Sequence, residues 1–176
     1  LGENVADAAE ATFVTQHYLD GLDQIKARGM RCEPSIKLTQ LGLDIDRATC
    51  LDNLRRVLDP AGRHGCFVRI DMEDSPVTTK TLDVYRRLKG EGFSNCGVVI
   101  QAYLYRSEKD VKDLLPLTTG FRLCKGIYVE PPEIAIKDLA GDGDHYAAHV
   151  VAKEFVGKTR VQQHKMVYEA LQGRMG

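Results

Sequence analysis

The sequence predicts an α/β fold in which short parallel strands alternate with helices. Four short runs rich in β-branched or aromatic residues start near Ile36, Val68, Val98 and Phe121, with amphipathic stretches between them. These starts lie 32, 30 and 23 residues apart, close to the roughly 31 residues per unit of a (βα)8 barrel. Each run carries a polar residue at or near its carboxyl end, where barrel active sites lie. The pattern predicts a partial (βα) barrel with about four of the eight strands.

A doubly wound open sheet would give similar spacing and is the alternative architecture. Nucleotide-binding sheets of that kind carry a glycine-rich phosphate loop directly after a strand. No GxGxxG, GxxxxGKS or GxxxxGKT pattern follows any of the four runs. The barrel is therefore the favoured interpretation.

The elements of this segment are predicted from apolar periodicity and from capping and breaking residues. Pro60 is expected to end the second helix, and Ser107–Asp110 resembles a capping box for the short fourth helix. In chain order the predictions are a helix over 4–28, a strand over 33–38, a helix from Asp44 or Asp46 to Leu58, a strand over 66–72, a helix starting near Thr79 or Thr81, a strand within 97–107, a short helix that Pro116 disrupts, and a strand over 121–127.

The third strand contains one polar residue in an otherwise apolar run. Val98–Ala102 has the composition of a strand buried on both faces, and Gln101 interrupts it. A buried amide without a hydrogen-bond partner costs a few kcal/mol, roughly 1–3 in proteins. Gln101 is therefore expected to face either a partner within the protein or a ligand.

After residue 133 the pattern changes to α+β. Residues 134–139 and 146–152 predict two strands joined by the Gly141–Asp144 turn, and Gly157–Thr159 leads into a helix. The predicted organisation is a (βα) segment over 1–133 followed by a small α+β module over 134–176.

Composition limits the function classes. The net charge of −1 gives no global basic field for nucleic acid or an anionic membrane, and no run of 18 apolar residues is present. Neither a signal peptide nor a CxxC motif is visible, and five scattered cysteines favour reduced thiols in the cytoplasm. Cys124 is either an inert core thiol or, between Arg122 and Lys125, a thiol of lowered pKa.

Polar residues at the ends of the four predicted strands form the candidate site. Cationic side chains there could hold a carboxylate, a phosphate or an electron-rich ring, and Gln101 suits a planar heterocycle. The alternative is a set of salt bridges that seals the barrel end. Asp71, Glu73 and Asp74 could also suggest a metal site, but an exposed acidic loop is the preferred explanation. The residues expected to converge are Lys37, Asp71, Gln101, Arg122 and Lys125.

Four motifs resemble the successive strand motifs of single-function proline dehydrogenases. They are SIKLTQLGL (35–43), VRIDMEDS (68–75), GVVIQAYLYRS (97–107) and RLCKGIY (122–128), and EPPE (130–133) agrees. The resemblance implies a distorted (βα)8 barrel that oxidises L-proline to Δ1-pyrroline-5-carboxylate by hydride transfer to FAD. It places Lys37 and Asp71 in the proline pocket, Lys125 and Tyr128 over the proline, and Gln101 and Arg122 against the flavin.

The later strands of that family have no counterpart in the sequence. The missing part of the family's fold carries a histidine-containing flavin motif and the paired arginines that clamp the substrate carboxylate. Reduced activity is therefore expected. Four barrel strands also leave two open apolar edges, which predicts aggregation or pairing with another copy of the chain.

The last segment resembles BolA proteins, whose fold is similar to the class II KH fold. IKDLAGDGDHY (136–146) and FVGKTRVQQHKMVYEAL (155–171) carry this resemblance. It implies a monothiol glutaredoxin partner and a shared [2Fe–2S] cluster with His145 as a ligand; the alternative for His145 is an exposed turn residue. A basic helix with Lys158, Arg160, His164 and Lys165 could also contact phosphates, although nucleic acid is not the expected partner.

Three functional hypotheses follow. The first is flavin-linked oxidation of proline by the longer segment. The second is a binding protein that acts through its BolA-like module in iron–sulfur handling or regulation. The third is a chimeric or truncated chain with neither activity, because two partial families meet without a linker.

Overall fold

Four short strands pair in parallel in the order in which they follow along the chain. The computed structural model describes residues 4–118, 120–138, 146–147 and 152–171. The chain divides into two compact units, Leu1–Ile136 and Lys137–Gly176. The first unit alternates helices and strands as α1 (Ala8–Ala27), β1 (Ser35–Ile36), α2 (Arg47–Arg63), β2 (Val68–Ile70), α3 (Ser75–Gly90), β3 (Cys96–Gln101), α4 (Ser107–Leu114) and β4 (Arg122–Cys124). The predicted α/β partial barrel is confirmed.

The core lies between the sheet and the helices that cover it. Every residue of β3 is buried, as expected for a central strand of a parallel sheet. Amphipathic stripes on α2 and α3 bury their apolar residues against this sheet. The largest fully buried side chains include Tyr85, Leu54, Leu82 and Ile70.

Helix α1 lies beside α2 and runs in the same direction. Its N-terminal end is near the carboxyl end of β1, since the Asn4 amide donates to Thr39 Oγ1 at 3.4 Å. Its C-terminal end is near the C-terminal end of α2, where Asp23 Oδ1 lies 4.0 Å from His64 Nε2. Neighbouring parallel helices of this kind form the outer ring of a barrel.

Helix α2 is longer than the sequence predicted. Asp46 caps it, accepting from the Thr49 amide at 2.8 Å, but Pro60 lies inside the helix instead of ending it. The last turn persists because Ala61 is fully buried and the Pro60 carbonyl accepts from the His64 amide at 2.9 Å. Tertiary packing outweighs the lost backbone hydrogen bond at this position.

Helix α3 starts earlier than predicted, at Ser75. Pro76 occupies its first turn, where a missing N–H costs nothing. The carboxylate of Glu130 caps this end, accepting from the Ser75 amide at 2.7 Å and from the Ser75 hydroxyl at 2.6 Å. A contact across 55 residues therefore sets where α3 begins.

The capping box predicted for α4 does not form. The Ser107 hydroxyl donates instead to the Gln101 carbonyl at 2.5 Å, so it ties the helix to the end of β3. Pro116 lies in a 3₁₀ turn over Leu115–Leu117, which ends α4 as expected.

The segment over residues 125–136, called the strap below, returns across the carboxyl ends of the strands. Backbone hydrogen bonds join it to the turn after β3, from the Tyr103 amide to the Lys125 carbonyl and from the Tyr105 amide to the Ile134 carbonyl, both at 3.0 Å. The strand predicted over 134–139 begins only at Lys137, because residues 134–136 pair with 103–105.

The second unit contains a short antiparallel pair and a helix. Its elements are β5 (Lys137–Asp138), β6 (Tyr146–Ala147), a 3₁₀ turn (Lys153–Phe155) and α5 (Arg160–Leu171). The predicted antiparallel pairing is confirmed, whereas the turn over 141–144 and His145 lie outside the described residues. Within the ranges that the structure covers, no helix is long and apolar enough to cross a membrane.

Candidate functional site

Three charged side chains meet at one level of the parallel sheet. Ile36 pairs with Ile70, so the next residues, Lys37 and Asp71, are neighbours. Ile70 pairs with Val98, and Val99 pairs with Arg122, which places Arg122 at the same level. Side chains at equivalent positions of paired parallel strands point to the same face. The register therefore brings Lys37, Asp71 and Arg122 to one level, although Arg122 is the first residue of β4 and does not follow a strand as Lys37 and Asp71 do.

The side chains of these residues are in contact. Arg122 Nη2 donates to Asp71 Oδ1 at 2.8 Å, and Lys37 Nζ lies 3.9 Å from Asp71 Oδ2. Asp71 and Lys37 are about one quarter exposed and Arg122 about one half. A carboxylate between two cations in a partly open position can exchange one partner for a ligand.

Tyr128 of the strap completes this group. Lys37 Nζ donates to the Tyr128 hydroxyl at 3.1 Å and lies 5.8 Å from the centre of its ring. The Tyr103 hydroxyl donates to the Tyr128 carbonyl at 3.0 Å and holds this part of the strap. We call Lys37, Asp71, Arg122 and Tyr128 the open cluster.

Gln101 lies two residues further along β3 and is buried. Its amide Nε2 donates to the backbone carbonyl of Glu73 at 2.8 Å. Gln101 was expected to face either a partner within the protein or a ligand, and its NH₂ group has a partner within the protein. Its predicted contact with a flavin stays a prediction, as do the roles predicted for the other site residues.

Glu73 was not expected to be part of the site, and its assignment to an exposed acidic loop is wrong. Its side chain is 3% exposed. Its carboxylate accepts from the Thr39 amide at 3.2 Å and also from the Thr39 hydroxyl. The alternation of faces that relates Asp71 to Glu73 was the available signal. We call Thr39, Glu73 and Gln101 the closed network.

Tyr18 and Gln40 extend this region toward α1. The Tyr18 hydroxyl donates to Gln40 Oε1 at 2.5 Å. Burial raises the pKa of Tyr18 above its ordinary value, and the negative charge of Glu73 adds to this effect. Sequence reasoning missed both residues, because α1 shows no local signal that its tyrosine reaches the turn after β1.

Lys125 and Cys124 lie at the end of β4. Lys125 is exposed and directly follows the strand. Burial raises the pKa of the Cys124 thiol, with the nearby Asp71 carboxylate adding to the effect, and the thiol donates to the Ile100 carbonyl at 3.6 Å. The structure therefore favours the inert thiol over the reactive one.

Metal ligands are not gathered in the part of the chain that the structure describes: no group of three or more His, Cys, Asp or Glu residues there could hold an ion. Asp71, Glu73 and Asp74 diverge, since Glu73 is buried while Asp74 is exposed. His145, the predicted cluster ligand, falls outside the described residues.

The arrangement suits a small ligand that carries a carboxylate and an amine. Lys37, Arg122 and Lys125 supply positive charge, and Asp71 supplies a carboxylate that can accept from an N–H. The tyrosine of the strap gives the group an aromatic cover beside Lys37.

Known proteins match both units. The proline dehydrogenase family model matches residues 1–139, and the BolA-like protein family model matches residues 131–176. Proline dehydrogenase 1 of Bacillus subtilis is 38% identical over 146 residues, which cover 83% of this chain and 48% of that protein. Proline dehydrogenase of Deinococcus radiodurans is 35% identical over 150 residues, with the same coverage. The chain spans about half the length of these relatives.

Solved structures agree with the fold. Proline utilization A from Bdellovibrio bacteriovorus, inactivated by N-propargylglycine, superimposes with a TM-score of 0.63 at 29% identity, covering 73% of this chain and 17% of that one. Proline utilization A from Bradyrhizobium japonicum gives a TM-score of 0.64 at 22% identity, over 72% and 15% of the two chains. Through the match over residues 1–139 of 176, the chain belongs to the proline dehydrogenase family.

Proposed function

We propose that the first unit provides part of a site for the FAD-dependent oxidation of L-proline to Δ1-pyrroline-5-carboxylate. The observation that carries this proposal is the open cluster, in which Lys37 and Asp71 after two strands, Arg122 of β4 and Tyr128 of the strap contact one another. Relatives named proline dehydrogenase, 35–38% identical to the chain, support it. Because the chain spans about half of those relatives, we expect lower turnover from this chain alone.

The residues present fit a flavin at this edge of the sheet. The half-exposed guanidinium of Arg122 offers positive charge at the mouth, which suits a ring that becomes anionic when reduced. Asp71 holds that guanidinium through one oxygen, so its orientation is set before any ligand binds. FAD, when bound, supplies the two-electron acceptor for oxidation of the C–N bond of proline.

The other side chains of the open cluster suit the amino acid. Lys37 lies between the Asp71 carboxylate and the Tyr128 hydroxyl, where its ammonium can attract the carboxylate of proline. The second oxygen of Asp71 can accept from the secondary amine. Tyr128 covers Lys37 from the strap and limits the access of water to this side.

The test is an absorption spectrum of the purified chain with added FAD, before and after L-proline. We expect bound flavin whose band bleaches with proline. Arg122→Gln should weaken flavin binding at least roughly tenfold, or about 1.4 kcal/mol. The matched control is Arg87→Gln, since Arg87 is an exposed arginine that pairs with Glu91 at the C-terminal end of α3.

Two results would contradict the proposal. Absence of bound flavin at saturating FAD would remove the cofactor from this chain. Equal flavin affinity in the Arg122→Gln and Arg87→Gln variants would remove the role of Arg122.

A second function is proposed for the last segment, because the BolA-like family model matches residues 131–176. We propose that this module binds a monothiol glutaredoxin through the segment that contains His145. His145→Ala should abolish association in a pull-down with purified glutaredoxin. His164→Ala is the control, because His164 is an exposed residue of α5. Unchanged association of the His145→Ala protein would refute this role.

A further inference from the structure

Exposed apolar residues mark both flanks of the first unit. Of nine exposed large apolar residues described between positions 4 and 136, five lie on these flanks, Ile127 and Val129 lie in the strap, and Ile45 and Tyr105 lie elsewhere. The α1 flank carries Phe13 and Met30, which are 60% and 52% exposed. The β4 flank carries Leu115, Leu117 and Leu123. A patch of this kind marks an interaction surface.

Helices cover the outer face of the sheet as far as β3 but do not cover β4. Ile100 of β3 pairs in register with Leu123 of β4, so the two side chains point to the same face. Ile100 is 2% exposed because helices cover it, whereas Leu123 is 65% exposed. Among the described residues no strand pairs with the free edge of β4 or with the free edge of β1. A helix and a strand are therefore missing beside β4.

We propose that a second copy of this chain fills that position, so that two half-barrels close into one eight-stranded barrel with two-fold symmetry. A rotation about an axis parallel to the strands preserves strand direction. It therefore places β1 of the partner parallel to β4 at one seam, and β4 of the partner parallel to β1 at the other. Four strands and four helices per copy give the eight of each that a closed barrel requires.

Helix α1 occupies the position that this closure needs. It precedes β1 and lies beside α2, so on the ring of helices it stands on the side of β1 away from β2. After closure, α1 of the partner covers the outer face of β4, where Leu123 is exposed. This face has no helix of its own within residues 120–138, since the strap returns over the carboxyl ends of the strands.

The apolar residues on the two flanks match in height along the barrel axis. Phe13 belongs to the N-terminal half of α1, near the carboxyl ends of the strands, and Leu123 lies on β4 one residue before its carboxyl end. Met30 precedes β1, and Leu117 precedes β4, so both lie at the amino ends. A symmetry axis along the barrel keeps these heights, so apolar residues meet apolar residues at both levels.

Charge does not oppose the closure. At the mouth each copy brings three cationic side chains, Lys37, Arg122 and Lys125, and two carboxylates, Asp71 and Glu73. Two copies therefore do not accumulate one sign of charge across the shared mouth. The half-exposed Arg122 lies on the edge strand, so the partner completes the wall of the site beside it.

The experiment measures mass by sedimentation velocity, without FAD or proline, so its result does not depend on the proposed catalysis. The wild-type chain should be a closed dimer. Phe13→Glu and Leu123→Lys should each raise the dimer dissociation constant at least roughly 30-fold, because each places a charge in both apolar seams. Ile45→Lys is the matched control and should remain dimeric, since Ile45 is also exposed but lies in the turn between β1 and α2.

Mixing the two variants gives the sharpest outcome. In a mixed dimer, one seam joins two unaltered flanks, and the other joins the introduced glutamate to the introduced lysine. An equimolar mixture should therefore regain the dimer that neither variant forms alone. Circular dichroism checks folding, and Met30→Glu replaces Phe13→Glu if that variant does not fold.

A monomeric wild-type chain, an open-ended polymer or a mixture that stays monomeric would each overturn the proposal.

Discussion

The open cluster and the closed network lie two residues apart on the same strands, yet their surroundings differ. In the closed network the Glu73 carboxylate is 3% exposed and receives both donors of Thr39. In the open cluster Asp71 is about one quarter exposed and lies between Arg122 and Lys37. Carboxylates of similar chemistry thus occupy a buried position and an accessible one.

This difference in burial gives the closed network a structural role and leaves the open cluster accessible to a ligand. A buried carboxylate must keep its partners, because the loss of either leaves an unsatisfied polar group in the interior. An accessible ion pair contributes little to stability, since water replaces each partner. The closed network therefore holds the strand ends together, and the open cluster is left with charges that a ligand can use.

Glu73→Ala should cause the largest loss of stability. It leaves the Thr39 amide and hydroxyl without their acceptor and opens a cavity, so we expect a loss of about 2–4 kcal/mol in the free energy of unfolding. Asp71→Ala is the matched comparison and should cost less than about 1 kcal/mol. Urea unfolding followed by tyrosine fluorescence measures both. Equal losses would show that the two regions do not differ in this way.

The open cluster could be predicted from sequence and the closed network could not. Lys37 and Asp71 directly follow β1 and β2, and the carboxyl ends of parallel strands meet by geometry. Arg122 opens β4 and reaches the same level because it pairs with Val99, inside β3. Glu73 stands in a Glu-Asp-Ser-Pro sequence that is typical of an exposed loop. Its burial depends on Thr39, a residue 34 positions away.

The errors in the helix boundaries have the same cause. The start of α3 depends on Glu130, which is distant in sequence, and the end of α2 depends on the packing of Ala61. Ser107 has the local pattern of a cap but finds a better acceptor at the end of β3. Local patterns predicted which elements exist, whereas contacts between distant residues decide where they end.

Gly126→Ala should move the strap and leave the closed network in place. Gly126 has φ of +111°, and a Cβ built on it would overlap the Tyr103 ring. We expect a loss of about 2 kcal/mol and faster proteolysis within residues 125–136. Gly120→Ala is the control, because its Cβ meets no atom within 4 Å. Similar values for the two variants would mean that the strap is not held against Tyr103.

Tyr103→Phe should have the smallest effect at neutral pH and a distinct effect in alkali. The variant loses the hydrogen bond to the Tyr128 carbonyl, which costs about 1 kcal/mol. Burial raises the pKa of Tyr103 to about 12, above the value of about 10 expected for the unfolded chain.

Since the folded state holds this proton more tightly, the stabilisation from Tyr103 is complete below about pH 10 and is lost as the pH rises toward about 12. Urea midpoints measured over this interval should fall more steeply for the wild type than for the Tyr103→Phe variant. Parallel curves would show that Tyr103 ionises equally well in both states, and its hydroxyl would then not anchor Tyr128 in the open cluster.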